Sequence, residues 1–330
     1  MNFETISKLV KASGVTEGEL ILIHFWGEDA DKGLANSFME AVVALGASGV
    51  LLQQARTVNR DIFSAAKSSS FNDKYFELFS KFDAVLDIFA YQPVILGYKL
   101  DDGHMELYRK YVSRLFYKLM GCKRFTQIRI PTKANAAESN LEPDDYIRRM
   151  ERAYDINYEK LAAECRCKVE AFSCVEKVAV TTGEDCVLSM ELQGRKWMID
   201  AGDGDLPCGE IYIAPVESKT NGRVFFETLW LGETKYTDVT LEVVDGEITG
   251  SNNEAVAKRF AEMSKQDRTV CELGLGMNPN IEELCGYTLL DEKATGTFHI
   301  AVGANNMFGG MNEASDHIDF VGRGKVDIIK

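Results

Sequence analysis

Residue types that bind metal ions are concentrated in the last third of the chain. Only four histidines occur in 330 residues, and two of them belong to this stretch. Carboxylates and imidazoles are ligands that divalent cations such as Zn²⁺, Co²⁺ and Mn²⁺ use in proteins. The sequence therefore predicts a metal site with ligands drawn from Glu210 in PCGEIYIAPVE, Glu272 in CELGLG, His299 in GTFHIAVG, and His317 and Asp319 in SDHIDF.

The closest pair in this set is His317 and Asp319, which are separated by a single residue. On a β-strand, residues i and i+2 point to the same face of the sheet. An imidazole and a carboxylate on one face can hold one cation between them. The same spacing also arises by chance. A non-catalytic protein that retains a metal and binds a small molecule or a partner stays open as an alternative.

In the first half of the chain, sequence patterns typical of β-strands alternate with patterns typical of helices. Buried-strand patterns cover residues 18–26, 49–53, 84–90 and 126–130, and helical patterns cover 30–45, 74–82 and 106–120. Such a βαβ rhythm predicts a mostly parallel, doubly wound sheet. His24 lies inside the first strand, where a core histidine with a backbone partner is expected. No glycine-rich phosphate-binding motif follows that strand.

The second half changes to short strand patterns after one long helix predicted over residues 144–167. These strands are expected at 177–181, 187–192, 196–200, 211–214, 223–227, 237–244 and 297–302, with one helix at 253–263. Turn sequences rich in Gly and Asp separate them. We therefore predict an N-terminal doubly wound α/β domain (residues 1–168), followed by a β-rich α+β metal-binding domain (residues 169–330).

Composition excludes several classes of partner. The chain carries 51 acidic and 37 basic residues, a formal net charge of −14. Such a surface repels nucleic-acid backbones and anionic membranes. Eight cysteines are scattered without a CxxC pair, the amino terminus lacks a signal-peptide profile, and no apolar run is long enough to span a bilayer. We therefore predict a cytoplasmic protein that binds neither nucleic acid nor membranes.

The order of motifs resembles the M29 family of metallo-aminopeptidases, the aminopeptidase T group. The likeness rests on TTGEDCVLSMELQGRKW, PCGEIYIAPVESKTNGRV, ELGLGMNP, DEKATGTFHIAVG and the HID near the C-terminus, and it covers roughly residues 145–325. The resemblance implies a β-rich catalytic domain that holds two metals, Zn, Co or Mn, in a homodimer acting on small peptides or other small amides. The ligand motifs of that family match the five residues named above.

One position departs from the family pattern. The family has a tyrosine seven residues after its first histidine, and this chain has Asn306 there. The departure predicts a divergent member whose substrate differs from that of simple leucyl aminopeptidases. Arg195 and Trp197 match an R-x-W of the family, and for these we predict a structural role.

The same motifs also resemble a ring-cleaving dioxygenase that acts on a dihydroxypyridine. That enzyme type binds one Fe(II) through two histidines and one carboxylate, and one of its histidines falls where this chain has Glu272. A carboxylate at that position favours the hydrolase. His299, His317 and Asp319 can nevertheless compose a two-histidine, one-carboxylate site, and the iron oxygenase stays open.

Hydrolysis also requires a general acid or base. Glu292 in the run Asp291-Glu292-Lys293 is our candidate for this catalytic role. The alternative is a surface residue that pairs with Lys293 or caps a turn.

Overall fold

A computed structural model describes residues 1–93, 100–139, 141–232 and 234–329. The helices are α1 (Phe3–Ala12), α2 (Lys32–Ala44), α3 (Arg56–Ser64), α4 (Asp73–Glu77), α5 (Asp102–Met120), α6 (Lys133–Glu138), α7 (Pro143–Tyr154), α8 (Tyr158–Phe172), α9 (Glu254–Glu262) and α10 (Thr288–Asp291). The strands are β1 (Leu20–Trp26), β2 (Ser48–Gln53), β3 (Ala84–Phe89), β4 (Arg124–Arg129), β5 (Lys177–Thr182), β6 (Cys186–Glu191), β7 (Met198–Asp200), β8 (Asp205–Leu206), β9 (Glu210–Ile213), β10 (Thr220–Leu231), β11 (Thr234–Val244), β12 (Glu247–Ser251), β13 (Val270–Gly276), β14 (Thr297–Gly303), β15 (His317–Arg323) and β16 (Lys325–Ile328).

The chain divides into two compact units that are not continuous in sequence. The first unit comprises residues 1–158 and 202–208, and the second comprises 159–201 and 209–330. The boundary that we predicted at residue 168 lies inside α8, whereas this division falls at the start of that helix.

The first unit is built on a five-stranded parallel sheet with the order β2-β1-β3-β4-β8. The chain steps outward from β1 to β2 and then returns across β1 to form β3. Right-handed crossovers place the helices of these two connections on opposite faces of the sheet. On one face Leu22 and Val85 pack with aromatic side chains of α3, α4 and α5. This arrangement confirms the predicted α/β fold class.

Two local predictions for the first half differ from the structure. The single helix predicted over residues 144–167 is wrong, because α7 ends at Tyr154 and α8 begins at Tyr158. Asp155 ends α7 with a ψ of 61°, outside the helical region, and Asp and Asn favour helix ends over helix interiors. His24 is buried as predicted, but its Nδ1 lies 2.8 Å from the Asp87 carboxylate rather than at a backbone group.

The second unit contains two antiparallel sheets. The six-stranded sheet has the order β12-β11-β10-β6-β5-β16, and the five-stranded sheet has the order β15-β14-β13-β9-β7. Phe226 of β10 packs on Phe298 of β14 and Phe320 of β15, with ring centroids 5.8 Å and 6.3 Å apart. One face of the five-stranded sheet therefore belongs to the core of this unit. No helix in the described ranges is long and apolar enough to cross a membrane.

The other face of the five-stranded sheet carries the polar residues. Side chains alternate between faces along each strand, so the residues between Phe298, Ile300 and Val302 on β14 point away from the core. Register then places the following residues on this second face: His317 and Asp319 on β15, His299, Ala301 and Gly303 on β14, Glu272, Gly274 and Gly276 on β13, Glu210 and Tyr212 on β9, and Asp200 on β7. Small residues thus separate the functional ones.

Candidate metal centre

The structure brings all five predicted ligands together. His299 Nε2 lies 3.1 Å from Glu272 Oε1 and 3.5 Å from Glu210 Oε2. His317 Nε2 lies 3.5 Å from Glu272 Oε2 and 3.4 Å from Asp319 Oδ1. Glu272, at the centre of these contacts, joins one histidine through each carboxylate oxygen. Residues more than a hundred positions apart meet because β9, β13, β14 and β15 are neighbours in one sheet.

The tightest group consists of Glu272, His317 and Asp319. Each offers a ligand atom, and these atoms all lie within 4.8 Å of one another. The Ala304 carbonyl oxygen orients the imidazole of His317, because it lies 2.8 Å from Nδ1, the ring nitrogen that does not contact Glu272 or Asp319. A carbonyl oxygen accepts a hydrogen bond, so Nδ1 carries the proton and Nε2 keeps a lone pair for the site.

Two further side chains reach the site that the sequence pattern did not identify. Lys293 Nζ lies 2.5 Å from Glu210 Oε1 and 2.8 Å from Glu292 Oε1. Asp200 Oδ2 lies 3.9 Å from the same ammonium. Lys293 and Glu292 are both buried, so the surface ion pair considered for them is wrong. The DEK sequence gives no sign of this burial, since charged residues are rarely buried without partners from elsewhere in the chain.

Protonation follows from the crowding of buried carboxylates. Burial opposes a charge on His317, but Asp319 and Cys271 outweigh it and raise the pKa of His317 to about 12. Burial also opposes a charge on His299, and nearby carboxylates raise its pKa to about 9. Burial raises the pKa of Glu292 to about 8 against the opposing ammonium of Lys293. The carboxylates around both imidazoles therefore favour the protonated rings, and binding of a cation at the ring nitrogens that face the site would release protons.

Two buried polar atoms in the site have no hydrogen-bond partner within the described ranges. They are Glu210 Oε2 and His299 Nδ1. An unpartnered carboxylate oxygen in a buried position is costly unless something positive binds it. The donor set of oxygens and imidazole nitrogens suits Zn²⁺, Co²⁺ or Mn²⁺. The residues present therefore fit a divalent cation.

Gly274 makes room for His299. The two residues are cross-strand partners in the β13–β14 ladder. A Cβ atom placed on Gly274 would lie 1.9 Å from His299 Nε2. The imidazole therefore occupies the space that any other residue at position 274 would fill.

The chain between β14 and β15 closes over one side of the site. A buried Asn305 and the half-buried Glu217 hold it: Asn305 Nδ2 donates to Glu217 Oε1 at 3.1 Å, and the Met311 amide donates to the same oxygen at 2.7 Å. Arg195 Nη2 lies 2.5 Å from Glu217 Oε2, and another nitrogen of this guanidinium donates to the Gly309 carbonyl. Arg195 thus has a structural contact network, and Asn306 is exposed on a short 3₁₀ helix.

A cavity of about 530 Å³ opens beside Asp319. Its walls include Trp230, Glu227 and Arg323 together with residues 282–286 and Thr288. A cavity of this size can hold one or two amino-acid side chains of a ligand.

Known proteins share this sequence pattern and fold. The family model described as thermophilic metalloprotease (M29) matches residues 8–329. Wild-type AmpT from Thermus thermophilus is similar over 99% of this chain and 98% of that chain, with a TM-score of 0.68 and 18% identity. The 2,5-dihydroxypyridine dioxygenase from Pseudomonas putida KT2440 is similar over 99% of this chain and 93% of that chain, with a TM-score of 0.64 and 14% identity. A comparison with curated proteins gave no match.

At these identities the two solved structures establish a common fold and nothing further. The match to the family model shows more than a common fold, because it is a sequence match that spans residues 8–329 and includes every predicted ligand. It confirms the metal-dependent peptidase that the motifs predicted. The chain belongs to the M29 family of metalloproteases.

Proposed function

We propose that this protein is an aminopeptidase-like hydrolase in which Glu210, Glu272, His299, His317 and Asp319 bind divalent metal. The observation that carries the proposal is the convergence of these side chains, from four neighbouring strands, through contacts of 3.1–3.5 Å. A divalent cation held there would lower the pKa of a bound water towards about 7 and polarise the carbonyl group of an amide.

The charge of the site supports two cations. With every acidic group ionised, five carboxylates, those of Asp200, Glu210, Glu272, Glu292 and Asp319, face the ammonium of Lys293. Burial alone favours the protonated form of Glu292, and nearby divalent cations would favour its carboxylate. Coordinating imidazoles are neutral, so four negative charges would remain, and two divalent cations, Zn, Co or Mn, would balance them.

Glu292 is the proposed general base. Lys293 joins its carboxylate to that of Glu210, which places Glu292 beside the proposed ligands. The Glu292 carboxylate accepts a proton from the attacking water as the new C–O bond forms. It then returns this proton to the leaving nitrogen when the C–N bond breaks, so that a carboxylic acid and an amine are released. The cavity beside Asp319 suits a small peptide or another small amide as the substrate.

The experiment compares the wild type with His317→Ala and with a control, His104→Ala, which changes a partly exposed histidine in the first turn of α5 in the first unit. We expect the wild type to bind about two Zn, Co or Mn ions per chain and to cleave aminoacyl-anilides or small peptides. We expect His317→Ala to lose metal affinity by more than the 10–100-fold typical of losing an outer-shell partner, with its unfolding transition retained. His104→Ala should match the wild type.

Other results would overturn the proposal in distinct ways. One iron per chain with oxygen uptake on a dihydroxypyridine would establish the oxygenase instead. Metal binding without turnover of any amide would leave a non-catalytic metal-binding protein. Full metal occupancy and full turnover in His317→Ala would remove that residue from the site.

We also propose that the enzyme is a cytoplasmic homodimer. Besides the family resemblance, Met307 and Met311 support an interface, because they are 70% and 80% exposed on the segment between β14 and β15, and exposed apolar side chains mark association surfaces. Light scattering should give twice the chain mass of 36.8 kDa. A mass equal to that of one chain at micromolar concentration would contradict the dimer.

A further inference from the structure

We propose that the phenol hydroxyl of Tyr212 donates a hydrogen bond to the substrate carbonyl oxygen as that oxygen becomes negatively charged during hydrolysis. This inference rests on the proposed function and deepens it, since it adds a catalytic residue to the site. Neither the spacing of the metal-ligand residues nor the family motifs quoted above pointed to Tyr212.

The strand register places Tyr212 and His299 on either side of Gly274, on three neighbouring strands. Tyr212 lies two residues after Glu210 on β9, so both side chains are on the site face. Tyr212 pairs with Gly274 on β13, and Gly274 pairs with His299 on β14. Tyr212, Gly274 and His299 therefore form one row across three strands. Because Gly274 has no side chain, nothing from the central strand separates the phenol from the imidazole.

The ring of Tyr212 is held at one end of this row. Phe308 packs edge-on against it, with ring centroids 5.4 Å apart and planes at 76°. Phe308 also contacts His317 edge-on, at a centroid distance of 6.0 Å. Phe308 thus joins Tyr212 to the histidine of the tightest ligand group. A ring that is packed against a neighbour can present its hydroxyl with less loss of conformational freedom than an unpacked one.

The hydroxyl of Tyr212 is available to a ligand. Tyr212 is only partly buried, and its hydroxyl has no hydrogen-bond partner in the part of the chain that the structure describes. The nearby cationic donor, Lys293, is already engaged by Glu210 and Glu292. Asn306 is exposed on the loop. Tyr212 is therefore the neutral donor on this face that can meet a substrate oxygen.

A fixed donor aimed at a developing oxyanion acts more strongly in the transition state than in the ground state. The phenol keeps its proton throughout, so no proton transfer is assigned to it. Removal of one such donor costs about 10²–10³-fold in kcat in hydrolases. Loss of the Tyr212 hydroxyl should fall in this range while KM and metal content change little.

The test uses Tyr212→Phe, which removes only the hydroxyl, and Tyr236→Phe as the control. Tyr236 is also a partly buried strand tyrosine, but it lies on β11 of the six-stranded sheet. Each metal-loaded protein is assayed for kcat and KM on the aminoacyl-anilide or small peptide that the wild type cleaves fastest. Binding of the amino acid released from that substrate, and of its phosphonic acid analogue, whose tetrahedral phosphorus carries negative oxygens, is measured by calorimetric titration.

We expect Tyr212→Phe to lower kcat about 10²-fold and to weaken phosphonate binding by a similar factor, with affinity for the amino acid product and metal content unchanged. Tyr236→Phe should equal the wild type in every measurement. Wild-type kcat and phosphonate affinity in Tyr212→Phe would overturn the inference and leave the proposed function standing. Equal losses for the amino acid and the phosphonate would also overturn it, because they would indicate a role in substrate binding alone. A wild type that hydrolyses no amide would overturn the proposed function and this inference together.

Discussion

At the residue scale, the position of His299 depends on the absence of a side chain at position 274. We predict that Gly274→Ala displaces the imidazole, because the added Cβ would lie 1.9 Å from its Nε2. Overpacking of this kind costs about 1–3 kcal/mol of unfolding free energy. The variant should also bind metal more weakly, and chemical unfolding together with metal analysis measures both effects.

Gly33→Ala is the control for that substitution. Gly33 lies in α2, and a Cβ added there meets nothing within 4 Å. In a helix, alanine is more favourable than glycine by up to about 1 kcal/mol. This control should keep full metal occupancy. A Gly274→Ala protein with wild-type stability and metal content would mean that His299 can move without consequence.

The sequence identified the five proposed ligands but not all of their neighbours. Glu210, Glu272, His299, His317 and Asp319 were recognisable because few histidines occur and each lies in a distinctive motif. Lys293 and Asp200 were not, since their burial depends on partners brought in by strand pairing rather than by sequence proximity. Tyr212 was missed because a tyrosine in a strand is usual, and only register places it across from His299.

At the element scale, the segment between β14 and β15 depends on Glu217. We predict that Glu217→Ala loosens residues 304–312, because it removes the acceptor for the Asn305 amide and the Met311 N–H and the partner of Arg195. Leaving such buried groups unsatisfied costs about 1–3 kcal/mol. Hydrogen exchange measured by mass spectrometry should be faster in this segment. Glu184→Ala, at an exposed turn residue, should leave exchange there unchanged.

The same carboxylate predicts how stability depends on pH. Burial would raise the pKa of Glu217, but the Met311 N–H, Asn305 and Arg195 outweigh it and lower the pKa below its ordinary value of 4.5. A group whose pKa is lowered by folding stabilises the protein above its unfolded pKa and loses this contribution as the pH falls through its folded pKa. The stability difference between wild type and Glu217→Ala should therefore be constant near neutral pH and shrink below about pH 4.5. A difference that grows on acidification would contradict this assignment.

Strand β13 is an element of the second unit that the sequence patterns did not predict. No strand was predicted over CELGLG, because glycine disfavours strand interiors. In the structure it is the central strand of the five-stranded sheet, and its glycines lie on the site face between functional side chains. The near-continuous apolar runs of β1 and β3, by contrast, separated by helical patterns, made the parallel sheet predictable. Local propensity failed where the site itself requires small residues.

At the scale of the whole molecule, metal binding and stability are coupled. We predict that removal of metal with a chelator lowers the thermal midpoint, because the folded protein must then hold its buried carboxylates without cations. A ligand at 100 times its dissociation constant stabilises the folded state by about 2.7 kcal/mol. Scanning calorimetry with and without chelator, followed by addition of Mn²⁺, Co²⁺ or Zn²⁺, measures the loss and its recovery. An identical midpoint in all samples would argue against a metal held by these side chains.

The return of the chain to the first unit has a consequence for biosynthesis. Strand β8 joins β4 at the edge of the parallel sheet, yet α8 and β5–β7 of the second unit come before it in sequence. A ribosome therefore delivers part of the second unit before the last strand of the first is available. The N-terminal unit cannot complete its sheet until residue 208 has left the exit tunnel, so the usual order in which an N-terminal domain finishes folding first does not apply. Until then, β4 keeps an unpaired edge at Gln127 and Ile128, where Asp205 and Leu206 pair in the folded protein.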